Sequence, residues 1–409
     1  MAKIYSKDMS SAYPAVMLQK KFPMSRFVRR TASAFDKLLS EEKHALLIDC
    51  RLINLNIKTI ETIPYIAFAK KTMIRGGRYD NGRVLSADEI GLVLTDVDFR
   101  IISEQYNFDS IEIDNLYAAK YDYLPNEFRE YIFERYIKKC NLKNGDEYLY
   151  SKEKNKINAL FGMGLTDIVH DEIIYNELVV NPFIKEKADI YIELEKHYES
   201  KSTFLVYQWG LWVTAWCRWR LQKAIMGIGR DIIYCDTDSA KYFGNHEDLF
   251  VELNNEILHE TELCGFNTEY TRPDGKKFSL GLWEDDDNTP YEKFVTLGSK
   301  KYAYVDSESE FHNTVAGLSK HKAKQWFDSN GGIEEFKIGT EIPVEYSGRT
   351  TAHYDDRIEP YELTVYDTQQ GEYITFKSGS SIAIENVSYT FGISDDYAEL
   401  LESLDKPIM

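Results

Sequence analysis

Asp236-Thr237-Asp238 places two carboxylates two residues apart at the bend of an expected strand–turn–strand running from Asp231 to Phe243. Acids so placed project from one side of a strand pair and repel each other, and crowding them is costly unless cations neutralise them. Oxygen ligands of this kind hold hard divalent ions such as Mg2+. Two such ions about 4 Å apart can activate an attacking hydroxyl and stabilise a leaving pyrophosphate. Taken alone, the triplet also reads as an Asx-type turn in a surface hairpin. A third carboxylate, Asp8, ends an expected first strand and stands directly before Met9-Ser10-Ser11-Ala12-Tyr13-Pro14-Ala15. At the start of the helix expected there, the free N–H groups of Ser10, Ser11 and Ala12 should point at phosphate oxygens. Tyr13, one turn in, is either the neighbour of a bound sugar or a plain core aromatic.

A further constellation is Lys154-Asn155-Lys156-Ile157-Asn158-Ala159-Leu160-Phe161-Gly162. Lys154, Asn158 and Phe161 fall at i, i+4 and i+7, on one helix face. A cation, an amide and an aromatic in line suit a triphosphate, a sugar or base edge, and a stacked base pair. The same pattern also fits an amphipathic helix closed by a glycine.

The elements that must carry these residues are legible in outline. Ile4, Ser6 and Asp8 alternate with Tyr5 and Lys7 as in a strand, with a helix from about Ser10. Residues 25–120 read as an inserted α+β module. Within it, Asp80-Asn81-Gly82-Arg83 signals a two-residue hairpin turn, and Ser86-Ala87-Asp88-Glu89 predicts a capping box opening a helix toward Gln105. Helices are expected over Asn126–Lys139, through Lys154–Leu160, and over 203–226 with its tryptophans. Strand signals recur at Glu362–Tyr366 and Tyr373–Phe376.

The 409 residues suffice for two or three domains, and 43% hydrophobic with 28% charged residues is ordinary for a globular chain. No apolar run reaches about 18 residues, so no membrane partner is expected. Five cysteines without CxxC spacing point to free thiols in a reducing cytoplasm. The net charge of −18 argues against nucleic acid as a partner. Lysines and arginines nevertheless cluster locally, at Lys138–Lys143, Lys152–Lys156, Lys300–Lys301 and Lys320–Lys324, and a basic channel can lie on an acidic body.

Asp8-x-x-Ser11-Ala12-Tyr13-Pro14 resembles the first polymerase motif of family B DNA polymerases, with alanine in place of a leucine. Lys154-x-x-x-Asn158-Ala159-x-Phe161-Gly162 is similar to their second motif, with Ala159 replacing a serine and Phe161 a tyrosine. Tyr234-Cys235-Asp236-Thr237-Asp238-Ser239 matches the third motif unchanged. Lys300-Lys301-Tyr302 resembles the K-x-Y element, and Val315–Lys320 the entry to the thumb. Their order and spacing resemble the phage branch that includes the protein-primed enzymes.

The resemblance implies an α/β (α+β) right-hand polymerase with an antiparallel palm sheet, helical fingers and a C-terminal thumb. Its parts would be palm at 1–24 and 203–305, insertions at 25–120 and 166–202, fingers at 121–165 and thumb at 306–409. Asp8 and Asp238 would ligate two Mg2+ (or Mn2+) ions, with Asp236 beside them. Tyr13 would be the steric gate against a ribose 2′-OH. Lys154 would hold the triphosphate with Lys139 or Lys143, while Asn158 and Phe161 line the nascent base pair. Lys300 and Tyr302 would grip the primer, and Lys320 would meet duplex phosphates. The partners expected are primer–template DNA and dNTPs, in the cytoplasm of a bacterial host. Only seven residues precede Asp8, where the family carries its exonuclease domain, so the chain is expected either to be a truncated or split polymerase or to work with a separate exonuclease-bearing polypeptide, which would also brace the strand carrying Asp8. The rival reading is a non-catalytic DNA-binding subunit derived from a polymerase.

Overall fold

Alternation of Ile4, Ser6 and Asp8 with Tyr5, Lys7 and Met9 produces β1 (Ile4–Met9). The helix α1 (Ala12–Gln19) starts two residues later than Ser10, because Ser11 adopts the left-handed region at φ 50 and no side chain caps the first turn. Most of α1 is buried on all sides, as an almost wholly apolar helix must be. The computed structural model describes residues 3–143, 145–175, 183–200, 206–286, 289–355, 362–367, 372–377 and 381–392.

Next come β2 (Phe22–Pro23), β3 (Val28–Arg30), α2 (Phe35–Glu41), the long β4 (His44–Ile57), β5 (Lys71–Arg75), β6 (Arg78–Asp80), β7 (Arg83–Thr95), α3 (Asp96–Gln105), β8 (Tyr106–Asn107) and β9 (Ser110–Asp122). The strands form an antiparallel sheet in the order β2-β9-β4-β7-β5, with β3 on β9, β6 on β7 and β8 on β4. Its core joins Leu46, Ile48 and Leu52 of β4 to Ile90 and Leu92 of β7 and to Phe99 and Ile102 of α3. Asn81 and Gly82, at φ 45 and 73, turn β6 into β7 as their sequence predicts. The helix expected from Ser86 is absent. Ser86, Ala87 and Glu89 pair with Asn56, Leu55 and Ile53 of β4, so the backbone groups a cap would serve are already taken. The capping box lies instead at Thr95 and Asp98, opening α3.

The chain continues through α4 (Asn126–Leu142), α5 (Glu147–Gly164), a hairpin of β10 (Glu172–Tyr175) and β11 (Phe183–Glu186), α6 (Ile190–Glu199) and α7 (Tyr207–Ile228). Residues 203–205, within the range expected for the last helix, lie outside the described residues. The tryptophans of α7 clasp the chain around it. Trp209 donates to Pro23 O at 3.3 Å, Trp212 to the Tyr121 hydroxyl at 2.6 Å and Trp216 to Lys21 O at 3.1 Å.

Then follow β12 (Ile232–Asp236), β13 (Ser239–Phe243), α8 (Glu247–Cys264), β14 (Glu269–Thr271), β15 (Lys277–Ser279) and β16 (Trp283–Asp285). A four-stranded antiparallel sheet assembles from distant sequence in the order β12-β13-β1-β16. Its two faces differ sharply. Met9, Ala240, Tyr242 and Trp283 join the core with residues of α7 and α8, while Asp8, Ser239, Lys241 and Asp236 fall on the opposite face by strand alternation. Strand β1 is therefore held on both sides within the chain, by β13 and β16, and Ile4 also bridges to Tyr291. The expectation that Asp8 needs bracing by another polypeptide is not met.

Beyond it, β17 (Lys293–Gly298), β18 (Lys301–Val305) and β19 (Phe311–Val315) form a separate sheet. Packed on it, α9 (Lys320–Ser329) shares a core of Phe311, Phe327, Phe336 and Phe391. The strand signals near the C-terminus correspond to a hairpin of Glu362–Asp367 and Glu372–Lys377. The five cysteines are free, four of them buried. Among the described residues no helix is long and apolar enough to cross a membrane.

Candidate active site

The three acids meet because the hairpin tip between β12 and β13 is tied to the end of β1. Asp8 and Asp236 both stand opposite Ser239 in register. The Met9 N–H donates to Asp238 O at 2.8 Å, which draws the bend against the end of β1. Thr237 makes the bend at φ 50, a conformation that costs a β-branched residue roughly 1–2 kcal/mol. Its hydroxyl donates to Asp236 Oδ1 at 2.9 Å. Such strain persists only where surrounding structure enforces it.

Electrostatics mark the same cluster. Asp8 keeps a solvent-exposed face, yet protein packs closely around its carboxylate, and that lost hydration, followed by Asp238 and Asp286, raises its pKa to about 7. Burial and then Asp236 raise Asp238 to about 6. Lys154 acts on both in the opposite sense, and Lys300 acts so on Asp238. Carboxylates held above their ordinary range carry unneutralised repulsion, and their donors are all oxygen. They fit hard divalent cations, and Asp238 is the acid that raises Asp8 most after burial, as Asp236 is for Asp238.

One wall of this cleft is built by α1, α4 and α5. Lys139 on α4 donates to Ser11 Oγ at 2.7 Å, and burial lowers its pKa, with Lys154 and Lys143 adding like charge. Lys154 and Lys143 thus both stand near Lys139, and of the two lysines proposed from sequence Lys139 is the one hydrogen-bonded to the segment after Asp8. Lys154 and Asn158 are exposed on α5. The Phe161 ring lies 4.3 Å from that of Tyr13 between centroids, so the two aromatics form one half-buried surface. Burial, with Asp238 and Asp236 among the further causes, raises the Tyr13 phenol to about 12, so it is a neutral group facing the acids. One expected donor is corrected. The Ser10 N–H already bonds Leu282 O at 2.9 Å and is not free for phosphate; Ser11 and Ala12 are left at the opening of α1.

The K-x-Y element also reaches the cluster. Lys300 sits in the β17–β18 turn at φ 55, and its N–H donates to the Tyr234 hydroxyl at 2.9 Å, two residues from Asp236. Tyr302 packs on Tyr234 with ring centroids 5.0 Å apart. Lys320 is exposed at the start of α9, where its carbonyl accepts from Asn313 Nδ2 at 3.3 Å, and among the described residues it makes no hydrogen bond or ion pair with the three acids. Two neighbours were not read from sequence. Asp286 follows β16 and receives the Ser6 and Tyr291 hydroxyls at 3.3 and 2.8 Å. Lys241 is 2% exposed. The detectable signal for Lys241 is the two-residue strand period that places it on the face of Asp236 and Ser239.

No protein-family model matches the chain. In sequence it is 26% identical over 244 residues to the DNA polymerase of Bacillus phage B103, and 25% over 352 residues to that of Bacillus phage Nf. Those matches cover 58% and 83% of this chain and 38% and 55% of the relatives. In structure it aligns with phi29 DNA polymerase bound to primer–template DNA at a TM-score of 0.59 and 16% identity, over 96% of this chain and 58% of that one. The chain is similar to phage DNA polymerases and has their fold. The phi29 ternary complex with primer–template and incoming nucleotide aligns at a TM-score of 0.56 and 17% identity. The chain spans about half the length of the phage polymerases it matches. The mixed α/β architecture expected from sequence is thus the phage polymerase fold.

Proposed function

We propose that the chain is the polymerising part of a DNA-directed DNA polymerase, joining the primer 3′-OH to the α-phosphate of a templated dNTP with release of pyrophosphate. The observation that carries this reading is the meeting of Asp8, at the end of β1, with Asp236 and Asp238 at the hairpin tip, beside a lysine-lined wall ending in Tyr13 and Phe161. In this reading the palm is 1–24 and 203–305, the fingers 121–165, the thumb 306–409, and 25–120 and 166–202 are insertions.

Asp8 and Asp238 would hold two Mg2+ ions, with Asp236 adjacent and Mn2+ able to substitute. When bound, such ions supply charge neutralisation and Lewis-acid activation of the attacking hydroxyl and the leaving oxygen. The protein's contribution is position and field. Lys139 and Lys154 balance triphosphate charge, while Ser11 and Ala12 present backbone N–H groups at the start of α1. Tyr13, fixed by the Phe161 ring, blocks the space a 2′-OH would need. Asn158 and Phe161 border the nascent pair, Phe161 by stacking alone because it lacks a hydroxyl. Lys300 and Tyr302 steady the primer, and Lys320 meets duplex phosphate without reading sequence.

Synthesis would take place in the cytoplasm of a bacterial host. A separate exonuclease-bearing polypeptide is the further partner in this reading, with a chemical role, since β1 is already braced by β13 and β16. The test is extension of an annealed primer by the isolated chain in Mg2+. Addition of only the complementary nucleotide supports the proposal; DNA binding without extension supports the non-catalytic subunit.

A further inference from the structure

Lys241 stands on β13 directly opposite Ser6, and Asp8 lies two residues along β1 on the same face. A diagonal neighbour at that spacing is within reach of a long side chain. The lysine is sealed from solvent at 2% exposure. Its Nζ donates to Ser6 Oγ at 3.3 Å, and Ser6 Oγ in turn donates to Asp286 Oδ2 at 3.3 Å. Beneath it lies the Tyr302 ring, with Nζ 5.0 Å from the centroid. Among the described residues no carboxylate pairs with it directly, whereas Lys7, buried on the other face, pairs with both Glu247 and Asp285. Burying a cation without a direct partner is costly. Here the compensation is the joint field of Asp286, Asp8, Asp236 and Asp238, the four acids that act on it.

We propose that Lys241 is a resident counter-cation beneath the acidic cluster, a positioning residue that holds the carboxylates together before metal arrives and loosens the site's grip on the ions once they bind. The inference rests on the proposed metal role of Asp8 and Asp238. A fixed positive charge behind these carboxylates opposes each divalent cation that enters in front of them. It therefore keeps the ions exchangeable and sets the concentration at which the site fills.

The test is binding of Mn2+ to the full DNA-free chain, followed by the electron paramagnetic resonance signal of the free ion. Wild type, Asp8→Asn, Lys241→Met and Lys241→Gln are compared, with circular dichroism as a check of folding. Both lysine variants should bind Mn2+ roughly tenfold more tightly than wild type, because loss of one charge within a few ångströms of a divalent ion is worth that much even at high effective dielectric. Asp8→Asn should weaken binding. Unchanged or weaker affinity in both lysine variants would overturn the inference while leaving the metal reading in place. Loss of the fold in both would also overturn it, since Lys241 would then be structural. Mn2+ binding in wild type that ignores Asp8→Asn would instead remove the metal reading itself.

Discussion

Asp238→Asn should stabilise the metal-free protein while removing its activity. The Asp238 carboxyl is raised from an ordinary 3.8 to about 6 by burial and by Asp236. A group whose folded pKa lies above its unfolded one favours folding in its protonated form, so that stability is lost as pH rises through about 6. At pH 8 the full shift corresponds to roughly 3 kcal/mol, from about 1.4 kcal/mol per pKa unit. Asp238 is only part-buried, and solvent screening reduces this to roughly 1–2 kcal/mol. An amide of the same shape escapes that repulsion. Thermal unfolding in EDTA at pH 8 should therefore show a higher midpoint for the variant, with the gain shrinking below about pH 6 and vanishing below the unfolded value. Added Mg2+ should raise the wild-type midpoint, as any ligand of the native state does, and raise that of the variant much less. A variant less stable than wild type in EDTA, or an undiminished Mg2+ response, would refute the view that Asp238 is a strained cation ligand.

Two further outcomes follow from the cleft's walls. Tyr13→Val should raise rNTP relative to dNTP incorporation, measured by competing the two substrates on one template; an unchanged ratio would make Tyr13 a core aromatic. Gly281→Ala should cost roughly 2 kcal/mol or more in denaturant unfolding, because Gly281 is at φ +84 and a Cβ there would stand 2.7 Å from that of Ala15 in α1. A neutral result would mean that α1, and Tyr13 with it, tolerates displacement.

What was legible in the sequence was local. The hairpin at Asp236–Ser239, the turn at Asn81-Gly82 and the long tryptophan helix each carry their signal within a few residues, and all three form. The segment 83–105 misled because Ser86 and Glu89 satisfy a capping pattern that depends only on spacing. Whether backbone groups there are free depends on β4, some thirty residues earlier, and pairing with it makes a strand. The Ser10 N–H was misread for the same reason, since its acceptor, Leu282 O, arrives from the far end of the chain. Asp286 and Lys241 were not singled out from sequence, because nothing within a few residues of either marks it as a neighbour of the acids. Both gained meaning only when β1 was inserted between β13 and β16.

In the proposed reaction Asp8 and Asp238 act jointly in nucleotide addition. This is tested most directly by the single-turnover rate of one-nucleotide primer extension in saturating Mg2+, for wild type and Asp8→Ala at matched occupancy of primer–template DNA. Loss of an essential ligand to ions that stabilise transition-state charge should cost roughly 3 kcal/mol or more, on the order of a hundredfold in rate or beyond. DNA affinity should change little. Extension by Asp8→Ala within a few-fold of wild type would contradict the account.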